Sequence, residues 1–372
     1  MANLVLRETE LRRLLILTLA TVYLFGVMGL AVLVCMEWIT RGRYAQDSVS
    51  KHGIGHENSS RLGGAVIAVA TLIGLFTSQF FQLSALQPGL HLWSWGAMIL
   101  CGILGLVEDF KNNLLSPRFR LVCLASIFVV LFVAWPWLIP VKLGFPILSS
   151  IMALPIIGVV LAVIVCVGFI NAVNMADGAN GLMSGVAFIA FTLFASIAGA
   201  DGWGWGIVSY VTGVFLIFNV VSGRLFLGDG GAYSLGSLMV IGSFSLVNKG
   251  LVSPAFLAVL FAYPCLELLV SLIRRSISGQ SAFLPDNDHF HNRLHHFVKL
   301  RVTSPVVANS GTGLVIALMT SGVAFAGYYF NLLSVTDGRW GYVFLLIAAM
   351  QLSIYWLLGL LDKRVSQYVV GT

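Results

Sequence analysis

Charge is what this chain has least of. Only 10% of its 372 residues are Asp, Glu, Lys or Arg, against about a quarter in an ordinary soluble domain. So few charges cannot coat the surface of a soluble fold of this length, and that class is excluded first. Cysteine is also sparse: Cys35, Cys101, Cys123, Cys166 and Cys265 all lie inside apolar runs, and no Cys-x-x-Cys pair occurs. That excludes a disulfide framework and a thiolate zinc site. There is no internal repeat, no low-complexity tract and no stretch that reads as a separate soluble domain.

Apolar residues fill the space the charges leave, at 58% of the chain. Runs of roughly 17–25 residues, long enough to cross a bilayer, recur from end to end. The first, from about Leu14 to Ile39, is too long for a cleavable signal, and Glu8 and Glu10 interrupt the basic region before it, so it is expected to remain as a helix. Eleven spans are expected, beginning near Leu14, Leu62, Leu92, Phe119, Ser150, Gly181, Trp203, Gly231, Ser253, Ser310 and Gly341. The expected fold is all-α: one polytopic integral membrane domain over residues 1–372.

Basic residues orient it. Loops at about 40–61, 108–118, 171–181, 222–230 and 274–309, with Arg120 just past the second and with the C-terminal end, hold 15 Lys and Arg; the opposite set holds 6. The positive-inside rule makes the first set cytoplasmic, although Arg7, Arg12 and Arg13 argue the other way. The net charge of +6 therefore speaks for anionic lipid or anionic substrate rather than for nucleic acid. Six of the seven histidines (His52, His56, His289, His291, His295 and His296) fall on that same side, with Asp47, Glu57, Glu108, Asp109, Asp177, Asp229, Asp286 and Asp288. Chemistry is expected at that face.

Four polar blocks stand out there. Glu108-Asp109 ends the third span; adjacent carboxylates at an apolar helix end are costly unless a cation neutralises them, and Mg2+ does so with one or two carboxylates plus phosphate oxygens. A solvated helix end paired with Lys111 is the plainer reading. Asn171-x-x-Asn174-x-x-Asp177-Gly178-x-Asn180-Gly181-Leu182 follows the fifth span, and its first three polar residues share a face if the helix continues. Amides can read a nucleobase edge; a simple helix cap explains only one Asn and one Gly. Phe226-Leu227-Gly228-Asp229-Gly230-Gly231 opens the eighth span, where backbone amides favour anions and Asp229 could itself cap the helix. Phe226 offers a face for stacking a base or an ordinary interfacial aromatic, and Asn219 lies ten residues before Asp229. Asp288-His289-Phe290-His291-Asn292-Arg293 sits in the longest loop, where His289, His291 and Arg293 could grip a diphosphate or simply be solvated. Glu267 is a carboxylate inside a span and is left without a role.

Taken in this order, the blocks resemble the polyprenyl-phosphate N-acetylhexosamine-1-phosphate transferase family, which also contains phospho-N-acetylmuramoyl-pentapeptide transferase. The similarity runs from about Lys51 to His296 and includes Arg61-Leu62-Gly63-Gly64 at the second span. Glu108 stands where an Asp is usual, Asn180 where a second Asp is usual, and Asn292 where a His is common. The resemblance implies Mg2+, with Mn2+ as a substitute, held by Asp229 with Asp109 beside it. It implies Glu108, Asp109, Asp177 and Asp229 as catalytic, and Asn171, Asn174, Asn180, Asn219, Phe226, His289, His291 and Arg293 as substrate-binding. It implies the substrates UDP-N-acetylhexosamine and undecaprenyl phosphate, membrane lipid around the chain, and transfer at the cytoplasmic face of a bacterial inner membrane. It implies a start to a surface polysaccharide such as O-antigen, and it is compatible with a homodimer. The pentapeptide transferase of peptidoglycan synthesis is the alternative within the family; a transporter is the alternative from a different class, but it needs ionisable groups near the midplane, and here only Glu267 qualifies.

Overall fold

A computed structural model describes residues 2–42, 45, 59–80, 92–111, 114–279 and 288–370. Asp47, Lys51, His52, His56, Glu57 and Asp286 lie outside the described residues. The described chain is helical: α1 (Ala2–Arg41), α2 (Gly63–Phe80), α3 (Leu92–Phe110), α4 (Pro117–Ala134), α5 (Pro146–Met152), α6 (Pro155–Ala176), α7 (Leu182–Ala198), α8 (Trp203–Ser222), α9 (Gly228–Asn248), α10 (Pro254–Leu260), α11 (Ala262–Ile277), α12 (Phe290–Lys299), α13 (Pro305–Met319), α14 (Ser321–Tyr329) and α15 (Trp340–Val370). Five prolines open helices, at Pro117, Pro146, Pro155, Pro254 and Pro305, because a first-turn residue has no intrahelical use for its N–H. Ser116, Ser253 and Ser304 precede three of them and accept from Phe119, Phe256 and Val307 amides, closing the helix starts locally.

Among the described residues, eight stretches are long and apolar enough to cross a membrane, and ten when two bent pairs are included: α10 with α11, bent by 79°, and α13 with α14, bent by 51°. The expectation of eleven differs by one because Leu182–Ser222 counts there as a single 41-residue stretch. It is two helices, α7 and α8, broken at Gly199 with φ 59° and packed against each other. Large apolar side chains face outward along α1, α2, α4, α6 and α15, among them Tyr23, Met28, Phe76, Val130, Ile156 and Leu346. A surface like this belongs in lipid, since soluble proteins rarely expose such continuous apolar area. The chain is a multi-pass membrane protein.

The centre of the bundle is α9, of whose 21 residues 19 are buried. Its residues are mostly small, which lets neighbouring backbones come close where no hydrophobic force drives helices together. A side chain at Gly64 of α2 would place Cβ 2.1 Å from the Gly231 backbone, and one at Gly105 of α3 would lie 2.3 Å from the Asp229 carbonyl. These two glycines seat α2 and α3 on the first turn of α9. The ends of α3, α6 and α8 and the starts of α2, α4, α7 and α9 thereby meet at one end of the bundle, where the polar blocks sit.

Candidate active site

The first turn of α9 organises this end. Its N–H groups would be open to an anion, but Asp109 from the end of α3 takes that place: Oδ1 accepts from the Asp229 amide at 2.9 Å and Oδ2 from the Gly230 amide at 2.8 Å. Asp109 is thus a helix cap supplied by another helix. The glycines follow from this. Gly228 has φ 72°, and a side chain there would lie 2.2 Å from the Arg61 carbonyl and 2.7 Å from Asp109 Oδ2. The anion that these two amides bind is the protein's own Asp109.

Asp229 projects from that turn into a network of charge. Arg120 Nη1 lies 3.3 Å from Asp229 Oδ2 and 4.0 Å from Glu108 Oε1; Arg61 lies 3.8 Å from Asp229 Oδ1 and 3.6 Å from Asp109 Oδ1. Glu108 also accepts from the Leu115 amide at 3.2 Å. Three buried carboxylates face two guanidiniums, which is how buried charge is tolerated. Neither Arg61 nor Arg120 stood among the expected site residues. Arg120 lies in the first turn of apolar α4, and Arg61 two residues before α2.

Beside the network lies a cavity of about 180 Å³. Asn174, Asp177, Asn180, Asn219, Phe226 and Asp229 line it, so the second and third blocks do converge, joined by Arg61, Ser184 and Asn309. Asn171 is not among the lining residues; its amide donates to the Val167 carbonyl one turn back, at 2.7 Å. Asn219 is already committed: Oδ1 accepts from the Gly181 amide at 2.6 Å and Nδ2 donates to the Leu225 carbonyl at 2.8 Å. It holds the α7 and α9 entry loops together. Asn180 is different. Its backbone amide donates to Asn309 Oδ1 at 2.8 Å, while its own Oδ1, like the Ser184 hydroxyl, is buried with no hydrogen-bond partner among the described residues. Two such orphans on one cavity wall mark a polar ligand edge.

The histidine block divides. His291 is packed away, with Nδ1 2.8 Å from the Tyr263 hydroxyl and Nε2 where a side chain on Gly178 would be, 1.9 Å from that Cβ position. Burial pushes its pKa down to about 3, with His289 and His295 adding to the effect, so it is a neutral spacer behind the Asp177-Gly178 wall rather than a grip on diphosphate. Arg293 is likewise corrected. Its guanidinium takes both Asp288 oxygens, Nε to Oδ1 at 2.5 Å and Nη2 to Oδ2 at 2.7 Å, and it donates to the Tyr355 carbonyl at 3.0 Å, clamping α12 to α15. Partial burial works to raise the Asp288 carboxyl, and the Arg293 hydrogen bonds more than offset it, leaving it below its ordinary value.

Among the described residues no three His, Cys, Asp or Glu side chains form a metal cage. The donors that face the cavity are the oxygens of Asp229, Asp177 and Asn174, a hard set that fits Mg2+ held largely by substrate phosphates. Asp109 is not among the lining residues of the cavity, and each of its oxygens already accepts from one backbone amide.

The geometry is thus a helical membrane bundle with a buried carboxylate–guanidinium cluster beside a polar cavity at one end. Residues 91–247 match the model of glycosyl transferase family 4. The chain is similar to the decaprenyl-phosphate N-acetylglucosaminephosphotransferases of Mycobacterium tuberculosis (strains CDC 1551 / Oshkosh and ATCC 25618 / H37Rv) and of Mycobacterium leprae (strain TN), 32% identical to each over 93 residues. That match covers 22% of this chain and spans 23% of the length of those relatives. Residues 91–247 thus resemble glycosyl transferase family 4, and the chain spans about a quarter of the length of the curated relatives it matches.

Proposed function

We propose that the protein transfers N-acetylhexosamine-1-phosphate from a UDP-sugar to undecaprenyl phosphate, releasing UMP and starting a bacterial surface polysaccharide such as O-antigen. The observation that carries this reading is Asp229: a buried carboxylate set between Arg61 and Arg120, on a cavity that Asn180 and Phe226 also line. One wall suits phosphate charge and the other a nucleobase edge.

The lipid phosphate oxygen forms a bond to the β-phosphorus, and the bond from that phosphorus to the bridging oxygen breaks, so UMP leaves with the electron pair. Charge is the main obstacle, and positioning with electrostatic stabilisation is the remedy. Arg61 and Arg120 supply fixed positive charge. A hard divalent cation, Mg2+ or Mn2+, held by Asp229 with Asp177 and Asn174 near, would spread the phosphate charge further. A dedicated base is not required, because a phosphate monoester has its second pKa near ~6 and is largely ionised at neutral pH. Asp109 acts by fixing the α9 turn that carries Asp229. Phe226 offers a face to the base, and Asn180 Oδ1 accepts its imide N–H. The excess of Lys and Arg in the loops at this end supports a cytoplasmic site in an inner membrane, where UDP-sugar is in water and the lipid phosphate arrives from the bilayer.

The test is UMP release by purified protein given undecaprenyl phosphate and a panel of UDP-N-acetylhexosamines, with Mg2+ or with excess EDTA. UMP and lipid-linked sugar should form together and stop in EDTA. No UMP with any donor and Mg2+ overturns the transferase reading; full turnover in EDTA overturns the cation.

A further inference from the structure

The cavity has a wall that none of the four polar blocks supplies. Asn309 lines it from α13, a helix that lies beyond the stretch matched to glycosyl transferase family 4. This helix comes close to both loops of the site. A side chain at Gly313 would place Cβ 2.1 Å from the Asn180 carbonyl, and Ser310 Oγ donates to the Val220 carbonyl of α8 at 2.8 Å. Asn309 is 5% exposed, so its polar atoms need partners. Oδ1 has one: it accepts from the Asn180 amide at 2.8 Å. That bond also decides which way the Asn309 side chain faces, since a backbone N–H can be met by the amide oxygen and not by the NH2 group. Nδ2 is left with two N–H groups. Among the described residues no acceptor meets it, and it is not among the polar atoms shut away from open space, as the Asn180 oxygen and the Ser184 hydroxyl are.

We propose that Asn309 is a substrate-binding residue whose Nδ2 donates to the 4-carbonyl of the nucleotide-sugar's uracil, and that it sets a preference for uracil over cytosine; this rests on the transferase reading above. With the diphosphate at the Arg61–Asp229 wall, the base edge that meets Asn180 and Asn309 is the one away from the ribose. In uracil that edge carries a carbonyl at position 4, and in cytosine an amino group. A fixed N–H donor satisfies the first and opposes the second. Asn219 cannot take this part, because both ends of its amide are spent on Gly181 and Leu225. A purely structural role for Asn309 calls only for its oxygen, which an aspartate would supply equally well. The NH2 group is what that role leaves unused, and an unmet buried donor is costly until a ligand meets it.

The experiment is N309D on the full chain in detergent with lipid. The change keeps size and leaves an oxygen for the Asn180 amide, but sets an acceptor where the NH2 group stood. UDP and CDP binding would be measured by calorimetry, and initial rates against UDP-sugar and undecaprenyl phosphate separately. Wild type should bind UDP more tightly than CDP. N309D should raise the UDP Kd and the UDP-sugar KM on the order of tenfold or more, the worth of a hydrogen bond replaced by two facing acceptors. It should narrow or reverse the preference over CDP, and leave the lipid phosphate KM unchanged. An unchanged UDP Kd overturns the proposal, and so does an equal loss for UDP and CDP, which is what damage to the Asn180 turn alone would produce. If N309D does not accumulate, the wild type decides it with 4-thio-UDP, whose sulfur is a poor acceptor: binding as tight as that of UDP overturns the proposal, and weaker binding supports it. Wild-type protein that prefers UDP over CDP yet releases no UMP removes the transferase reading instead, and leaves the base contact standing.

Discussion

Asp109→Asn separates the structural role of this carboxylate from a catalytic one. The side chain is 2% exposed and receives two backbone N–H groups, from Asp229 and Gly230. Asparagine keeps one acceptor oxygen and turns an NH2 group toward the other amide. One charge-assisted hydrogen bond, worth about 1.5–3 kcal/mol, is lost, and a buried N–H is left without an acceptor at about 1–3 kcal/mol. The two figures overlap, since the same amide is counted in both, so the net expectation is roughly 2–4 kcal/mol of destabilisation. The surrounding charge changes too, because Arg61 at 3.6 Å loses a partner. The assay is a thermal melt of purified protein in detergent, paired with UMP release well below the melting temperature. The variant should melt several degrees lower and turn over at a tenth of the wild-type rate or less, because the turn carrying Asp229 is no longer pinned. A variant that melts like the wild type would refute the cap, whatever its rate. One that melts lower but keeps full rate would show that the α9 turn holds Asp229 without help.

Asp229→Asn should behave oppositely, losing at least tenfold in rate with little change in melting temperature, since its oxygens pair with Arg61 and Arg120; retention of more than a tenth of the rate sinks its assignment. Gly64→Ala should cost about 1–3 kcal/mol or more by overpacking, because its Cβ would meet backbone on α9 at 2.1 Å, and an unchanged melt would show that α2 can shift freely. Stability should also fall in acid through His291. With a folded pKa near 3 against 6.5 unfolded, the unfolded chain binds the extra proton between those values, so this contribution is fully present above about pH 6.5 and is lost as pH falls toward 3. The slope from this one group is about 1.4 kcal/mol per pH unit at most, and His291→Gln should flatten the melting temperature between roughly pH 6 and 4; an unaltered slope contradicts a buried neutral ring.

The class of this protein was written in its composition, because a bilayer demands apolar length and sparse charge, and both are local properties of the chain. The four polar blocks were equally legible. Carboxylates and amides at the ends of apolar helices are expensive wherever they occur, so Glu108-Asp109, Asn174 to Asn180, and Asp229 announce themselves before any fold is known. Roles are another matter, since a side chain's chemistry depends on what already occupies its polar atoms, and that is settled across long sequence distances. Asp109 reaches a helix that begins more than a hundred residues later and spends its oxygens there. Asn219 spends both ends of its amide on Gly181 and Leu225, and Arg293 is taken by Asp288 and Tyr355. Asn309 and Ser184 enter the cavity wall from α13 and α7 with no motif to mark them. Arg61 and Arg120 look like loop charges in one dimension and become the counter-charges of Asp229 only when α2 and α4 close on α9. Sequence alone determined which groups need a partner; the packing of α2, α3 and α6 around the glycine-lined start of α9 decided which partner each received, because hydrogen bonds act only over contact distance.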